Sequence, residues 1–88
     1  MRKVYVPARI EVDVNGKITP IQIQIGYGDE WLAEEWVDLE ITESGRKVNI
    51  AVGGIGMRYM CMVDYMGIQR EVAVFNEGMK WYVLAGDY

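Results

Sequence analysis

Gly53, Gly54 and Gly56, with Lys47, Arg58 and Tyr59 around them, come nearest to a binding loop in this chain. Gly54-Ile55-Gly56 begins a G-x-G-x-x-G pattern, which in a strand-to-helix turn lets backbone N–H groups approach a pyrophosphate. Position 59 is Tyr, however, and the segment runs on into strand-like alternation. No Gly-Lys-Ser/Thr follows a glycine loop either, so the dinucleotide and P-loop patterns both fail. A tight loop or barrel corner needing positive φ is the preferred reading of the glycines, with anion binding beside Lys47 and Arg58 as the alternative.

Other chemistry is limited by what is missing. Histidine is absent and Cys61 is the single cysteine, which removes Cys/His zinc sites, the Ser-His-Asp triad and the Cys-His dyad. Seven acids and no base occupy residues 29–43: Asp29, Glu30, Glu34, Glu35, Asp38, Glu40 and Glu43. Such a run could hold a divalent cation or an acid/base pair, but its spacing is that of a solvated strand face and no calcium-loop pattern is present. It is expected to be a solubilising surface that guards an edge strand. No catalytic residue, metal or cofactor is expected, and the chain is not expected to be an enzyme.

Two residue classes suit binding rather than reaction. The aromatics Tyr5, Trp31, Trp36, Tyr59, Tyr65, Phe75, Trp81 and Tyr82 could stack unpaired bases if exposed beside Arg46, Lys47 and Arg58. The net charge of −4 opposes the phosphate neutralisation on which such binding depends. Met57, Met60, Met62 and Met66 lie in one segment, and methionine is over-used at adaptable binding surfaces. Strand periodicity puts Met60, Met62 and Met66 on the face opposite Tyr59, Cys61 and Val63. That face is expected either to be buried within the monomer, the slightly preferred reading, or to form an interface.

The elements that position these residues are strands. Val4, Val6, Ala8, Ile10, Val12 and Val14 alternate with Lys3, Tyr5, Pro7, Arg9, Glu11 and Asp13, the period-two signature of a half-buried strand. Asn15-Gly16 then predicts a two-residue type I′ turn that sets Ile10 beside Ile21, Ala8 beside Ile23 and Val6 beside Ile25. Tyr27-Gly28-Asp29 reads as a turn and residues 36–42 as a third strand. Residues 30–35 fit a bulged strand, which is preferred, or one helical turn. Glu43-Ser44-Gly45 predicts a loop and residues 47–52 a short strand. Residues 57–66 form a long strand closed by Gly67, and residues 70–76 and 80–84 a hairpin around Glu77-Gly78 with Val74 facing Trp81.

Lys3-Val4-Tyr5-Val6-Pro7, Gly53-Gly54-x-Gly56-x-Arg58-Tyr59-x-Cys61 and Lys80-Trp81-Tyr82-Val83 resemble, in order, the motifs of a family of small uncharacterised bacterial β proteins. That family opens with V-Y-V-P, carries G-G-x-G-x-R-Y and ends in R-W-F-V. The chain departs from it between the second and third strands and at Lys80, where Arg is commoner. The resemblance implies a shared small β fold, found in Firmicutes-like bacteria. It brings no activity and no functional residue with it.

The expected protein is thus all-β, one domain over residues 1–88, folded as a small antiparallel barrel or strongly bent sheet of five or six strands. A single cysteine, no apolar spanning run and charged residues through the first twenty positions predict a cytoplasmic protein without membrane contact. The leading functional expectation is a non-catalytic module that binds a protein partner or itself, with Met60, Met62 and Met66 at the interface. A nucleic-acid-binding barrel using Lys47, Gly53, Gly54, Gly56, Arg58 and Tyr59 is the alternative, and a small-ligand-binding protein comes third.

Overall fold

A computed structural model describes residues 2–27, 30–50, 54–65 and 67–84. Eight strands follow in chain order: β1 (Lys3–Tyr5), β2 (Ala8–Val12), β3 (Ile18–Tyr27), β4 (Glu30–Asp38), β5 (Glu40–Ile50), β6 (Gly54–Tyr65), β7 (Ile68–Glu77) and β8 (Lys80–Leu84). Among the described residues there is no helix, and so none long and apolar enough to cross a membrane. All pairings are antiparallel. One sheet has the order β1-β8-β7-β6-β5 and the other β2-β3-β4.

The chain passes between the sheets at two corners. At Val6-Pro7 the first predicted strand divides: Val6 N–H donates to Trp81 O at 2.9 Å in the large sheet, while Pro7 O accepts from Gln24 N–H at 3.0 Å in the small one. The second corner is Leu39, whose N–H donates to Ile21 O at 2.9 Å before β5 joins β6. Side-chain alternation is the same on both sides of each corner, because the face turned to the core stays the inner face.

One cluster of buried side chains lies between the sheets. Ile23, Ile25 and Val37 come from the small sheet; Tyr59, Cys61, Val63, Val72, Val74, Trp81 and Val83 come from the large one, and Val6 from the corner. Each fully buried Val or Ile contributes about 1.5–3 kcal/mol of apolar transfer, which is why period two is enforced so strictly in β6, β7 and β8.

The first hairpin departs from its predicted register halfway along. Ala8 faces Ile23 and Arg9 faces Gln22 as expected, but Ile10 faces Pro20 and Val12 faces Ile18, with Ile21 extruded as a bulge on β3. The cause is at the turn. Asp13 O accepts from Gly16 N–H and Asp13 N–H donates to Lys17 O, both at 3.0 Å, with Gly16 at φ 81°. This is a three-residue loop with glycine last, not a two-residue type I′ turn. The Asp13 carboxylate favours it by accepting from Asn15 and Lys17 N–H at 2.8 Å each.

Other boundaries also shift. Residues 30–35 are strand, part of β4, with a register shift between Ile25 and Tyr27. The predicted turn at Tyr27-Gly28-Asp29 falls partly outside the described residues, Tyr27 itself ending β3. Glu43-Ser44-Gly45 is not a loop: it belongs to a continuous β5, whose pairing with β6 slips between Ile41 and Glu43 and again between Glu43 and Arg46. Gly54 and Gly56 are strand residues opposite Ile50 and Val48, while positive φ among described glycines occurs at Gly16, Gly67 and Gly78. The predicted corner at this cluster is therefore absent from Gly54 and Gly56, and Gly53 lies outside the described residues. In the last hairpin the turn is Gly78-Met79, so Phe75 faces Tyr82 and Asn76 faces Trp81. That is two residues from the predicted register and leaves each side chain on its predicted face.

Candidate interaction surfaces

The hairpin of β2 and β3 carries much of the exposed apolar surface. Past the bulge, Ile10, Val12, Ile18 and Pro20 share the inner face of this hairpin, by their pairing. Pro20 is buried, but Ile10 is 42 % exposed, Val12 57 % and Ile18 37 %. Extruded Ile21 and loop residue Val14 are exposed on the same hairpin. Beside it, the turn residue Met79 is almost wholly exposed. A cleft of about 510 Å³ separates the corner and β2 from the start of β8, lined by Tyr5, Pro7, Ala8, Ile10, Met79 and Trp81 among others.

On the outer face of the small sheet a hydrogen-bonded polar chain links three strands. Arg9 Nη1 donates to Gln22 Oε1 at 3.0 Å, and Gln22 Nε2 donates to Asp38 Oδ1 at 2.8 Å, a chain across three strands. The Arg9 guanidinium also lies 4.0 Å over the centre of the Trp36 ring. Trp36 is thereby tied to its own sheet.

On the outer face of the large sheet, the register aligns Tyr5, Tyr82, Phe75, Arg58 and Arg46 in one row across five strands. Phe75 and Tyr82 stack with centroids 4.9 Å apart, and Tyr5 meets Tyr82 edge-on at 5.7 Å. Lys3 and Lys80 approach the rings of Tyr82 and Tyr5 at 4.8 and 5.4 Å. Lys3 Nζ also donates to Glu77 at 3.0 Å. That hydrogen bond raises the lysine's pKa and lowers the glutamate's. Tyr82 is buried beneath its neighbours, and its burial raises its own pKa.

The residues expected to act together are divided by the sheet. Arg58 is on the outer face, whereas Tyr59 is buried in the core and cannot stack a base. Its hydroxyl donates to Ile18 O at 3.0 Å, its ring centroid lies 5.7 Å from that of Trp81, and burial raises its pKa. Lys47 is exposed opposite Met57. Met60 and Met62 are half-buried on the outer face, opposite Ala73 and Glu71, so the expected burial inside the monomer is corrected to partial exposure. Met66 lies outside the described residues.

Reactive groups are few. Cys61 is fully buried, its thiol directed at Tyr59 O at 3.6 Å, and burial pushes its pKa up to about 11, which suppresses thiolate at neutral pH. A cleft of about 280 Å³ between β4 and β6 is lined by Glu35, Asp38, Glu40 and Asp64 with Trp36 and Met62. No three of the described metal-ligating side chains are grouped so as to hold an ion.

Neither a protein-family model, nor a curated protein, nor a solved structure matches the chain. The surfaces therefore stand on their own geometry. Sequence periodicity missed the bulge at Ile21 because it carried the register of a two-residue turn along the whole hairpin. The available signal was Asp13: Asp at the first position and Gly at the fourth favour a type I turn over Asp13-Val14-Asn15-Gly16.

Proposed function

We propose that this protein is a non-catalytic interaction module that docks to another protein chain through the β2–β3 hairpin. The observation that carries this reading is the exposure of Ile10, Val12, Ile18 and Ile21 on one hairpin, next to exposed Met79. Apolar side chains concentrated in this way mark association surfaces, whereas single exposed hydrophobics do not. The two corners join the sheets in a barrel-like arrangement in which the hairpin is the contact element. Met60 and Met62 form a secondary surface at most, since they pair with Glu43, Glu40 and Glu71 across the strands.

Photo-crosslinking from Val12 and from Met79 in cells tests this. Adducts at a defined mass are expected from both positions and not from Glu71 on the opposite side. Adducts from Glu71 alone would overturn the reading.

A second reading rests on the row Tyr5, Tyr82, Phe75, Arg58 and Arg46, which sets aromatic rings beside cations on an outer sheet face, as single-strand-binding surfaces do. Acids outnumber bases in the chain thirteen to nine, and Glu77, bonded to Lys3 and Tyr5, and Glu43, paired with Arg46, lie beside the row. Fluorescence anisotropy at near-physiological salt should therefore show no complex with labelled single-stranded DNA or RNA tighter than roughly micromolar. A submicromolar complex that weakens with salt would favour this row over the hairpin.

A further inference from the structure

The free edge of β2 is suited to one occupant in particular. In the small sheet β2 pairs with β3 on one side only. The direction of its backbone groups follows from two hydrogen bonds: Pro7 O accepts from Gln24 N–H, and Asp13 N–H donates to Lys17 O. Both residues are odd-numbered and both point to β3, so by strand alternation Arg9 and Glu11 do so too. Val6 N–H points the other way, to Trp81 O in β8. The N–H and C=O groups of Ala8, Ile10 and Val12 are therefore directed off the sheet, past the end of β8, and β2 has no described strand on that side.

We propose that β2 pairs antiparallel with β2 of a second copy of this chain, centred on Ile10. The proposal rests on the reading of the hairpin as a docking surface. In an isologous antiparallel pair a residue at the centre meets its own copy. Centring on Ile10 lets the two Ile10 residues exchange N–H and C=O, as their outward backbone groups require, and sets Ala8 against Val12. The same register sets Arg9 opposite Glu11 of the other copy, twice by symmetry. The neighbouring choices are disfavoured by charge. Centring on Val12 sets Glu11 against Asp13, while centring on Arg9 or Glu11 sets like against like, and like charges directly opposite are destabilising.

Side chains on the two faces agree with this register. The half-exposed Ile10 and Val12 of both copies would form one continuous apolar strip, with Met79 at each end beside Ala8. The Arg9 guanidinium keeps its place over Trp36 and its Nη1 bond to Gln22, and its remaining N–H groups are donors for the partner's Glu11.

The test uses the full chain and two charge variants, Arg9→Glu and Glu11→Arg, in size exclusion coupled to light scattering over about 1–200 µM. Wild type is expected to form a concentration-dependent dimer. Each variant alone sets like charges opposite one another and should raise the dimer dissociation constant roughly tenfold or more. Mixed in equal amounts, the two variants restore opposite charge at every facing position and should form a heterodimer. Near-ultraviolet circular dichroism of each variant establishes that it is folded. Val12→Lys, which disrupts the apolar strip without touching the Arg9–Trp36 contact, should also lower the dimer fraction. A wild type that stays monomeric across the range overturns the self-pairing, and so does a dimer unaffected by these changes. Crosslinks from Val12 to a different protein would then still uphold the docking reading.

Discussion

Gly45→Ala probes a close approach of backbone to an aromatic side chain. A Cβ built at Gly45 would lie 2.6 Å from Tyr59 Cε2, 3.0 Å from Cζ and 3.1 Å from Cδ2. These atoms are one edge of a ring and not the tip of a flexible chain. The ring is held on its other sides by Trp81 and by the hydroxyl bond to Ile18 O, so it cannot swing freely away. Overpacking of this kind costs about 1–3 kcal/mol. If the ring shifts enough to break its hydroxyl bond, about 1 kcal/mol more is lost. Opposing this, Gly→Ala at a site without positive φ stabilises by about 0.4–1 kcal/mol through the unfolded state. The clash wins, and a net loss of about 2 kcal/mol is expected, which for a domain of this size lowers Tm by roughly 8–16 °C. Urea denaturation measures the loss directly. In a Tyr59→Leu background the ring edge is gone, and Gly45→Ala should then be neutral or stabilising. The reasoning is refuted if Gly45→Ala changes wild-type stability by less than about 0.5 kcal/mol, or costs the same in both backgrounds.

Cys61 sets an alkaline limit. Its thiol titrates near 9 when free and at about 11 when folded, so the unfolded chain loses its proton first and stability falls as pH rises from about 9 through about 11. Cys61→Ser or Cys61→Val should remove this component from the pH dependence of the urea midpoint, and a disulfide reagent at pH 7 should modify native Cys61 only as fast as the protein opens. Ile21 and Ile23 should differ sharply on truncation. Ile23→Ala, at a fully buried site, should cost about 2–5 kcal/mol, and Ile21→Ala on the extruded bulge less than about 1 kcal/mol, measured by the same denaturation. Met62→Asp places a carboxylate between Glu40 and Glu71 on the outer face, so it should give a folded protein about 1 kcal/mol less stable and unchanged in size by light scattering. Loss of a dimer in that variant would put the interface on the methionine face instead.

Local chemistry was enough to specify much of this architecture. Alternation in residues 57–66 assigned Tyr59, Cys61 and Val63 to the core and Arg58, Met60 and Met62 to the other face, because one-residue slips bury charge and expose valine. Glycines at 16, 67 and 78 end strands for a local reason too, since each adopts a positive φ that other residues rarely take. These three strand ends are therefore legible without the fold, whereas Gly45, Gly54 and Gly56 lie inside strands.

Which sheet each strand joins is a tertiary decision. Residues 3–12 keep a single period across the Val6-Pro7 corner, and residues 36–42 across Leu39, so nothing in the pattern reveals that half of each run pairs in a different sheet. The change is expressed only in the partners of backbone groups, Trp81 for Val6 and Gln24 for Pro7. The exposed hairpin is the same kind of fact. A three-residue loop and the bulge at Ile21 offset one another, so that Ile23 and Ile25 remain in the core while Ile10, Val12 and Ile21 are left on the surface. Hydrophobicity alone predicts burial for all five; the turn and its bulge take Ile21 out of the core, while Ile10 and Val12 keep the inner face and are still exposed.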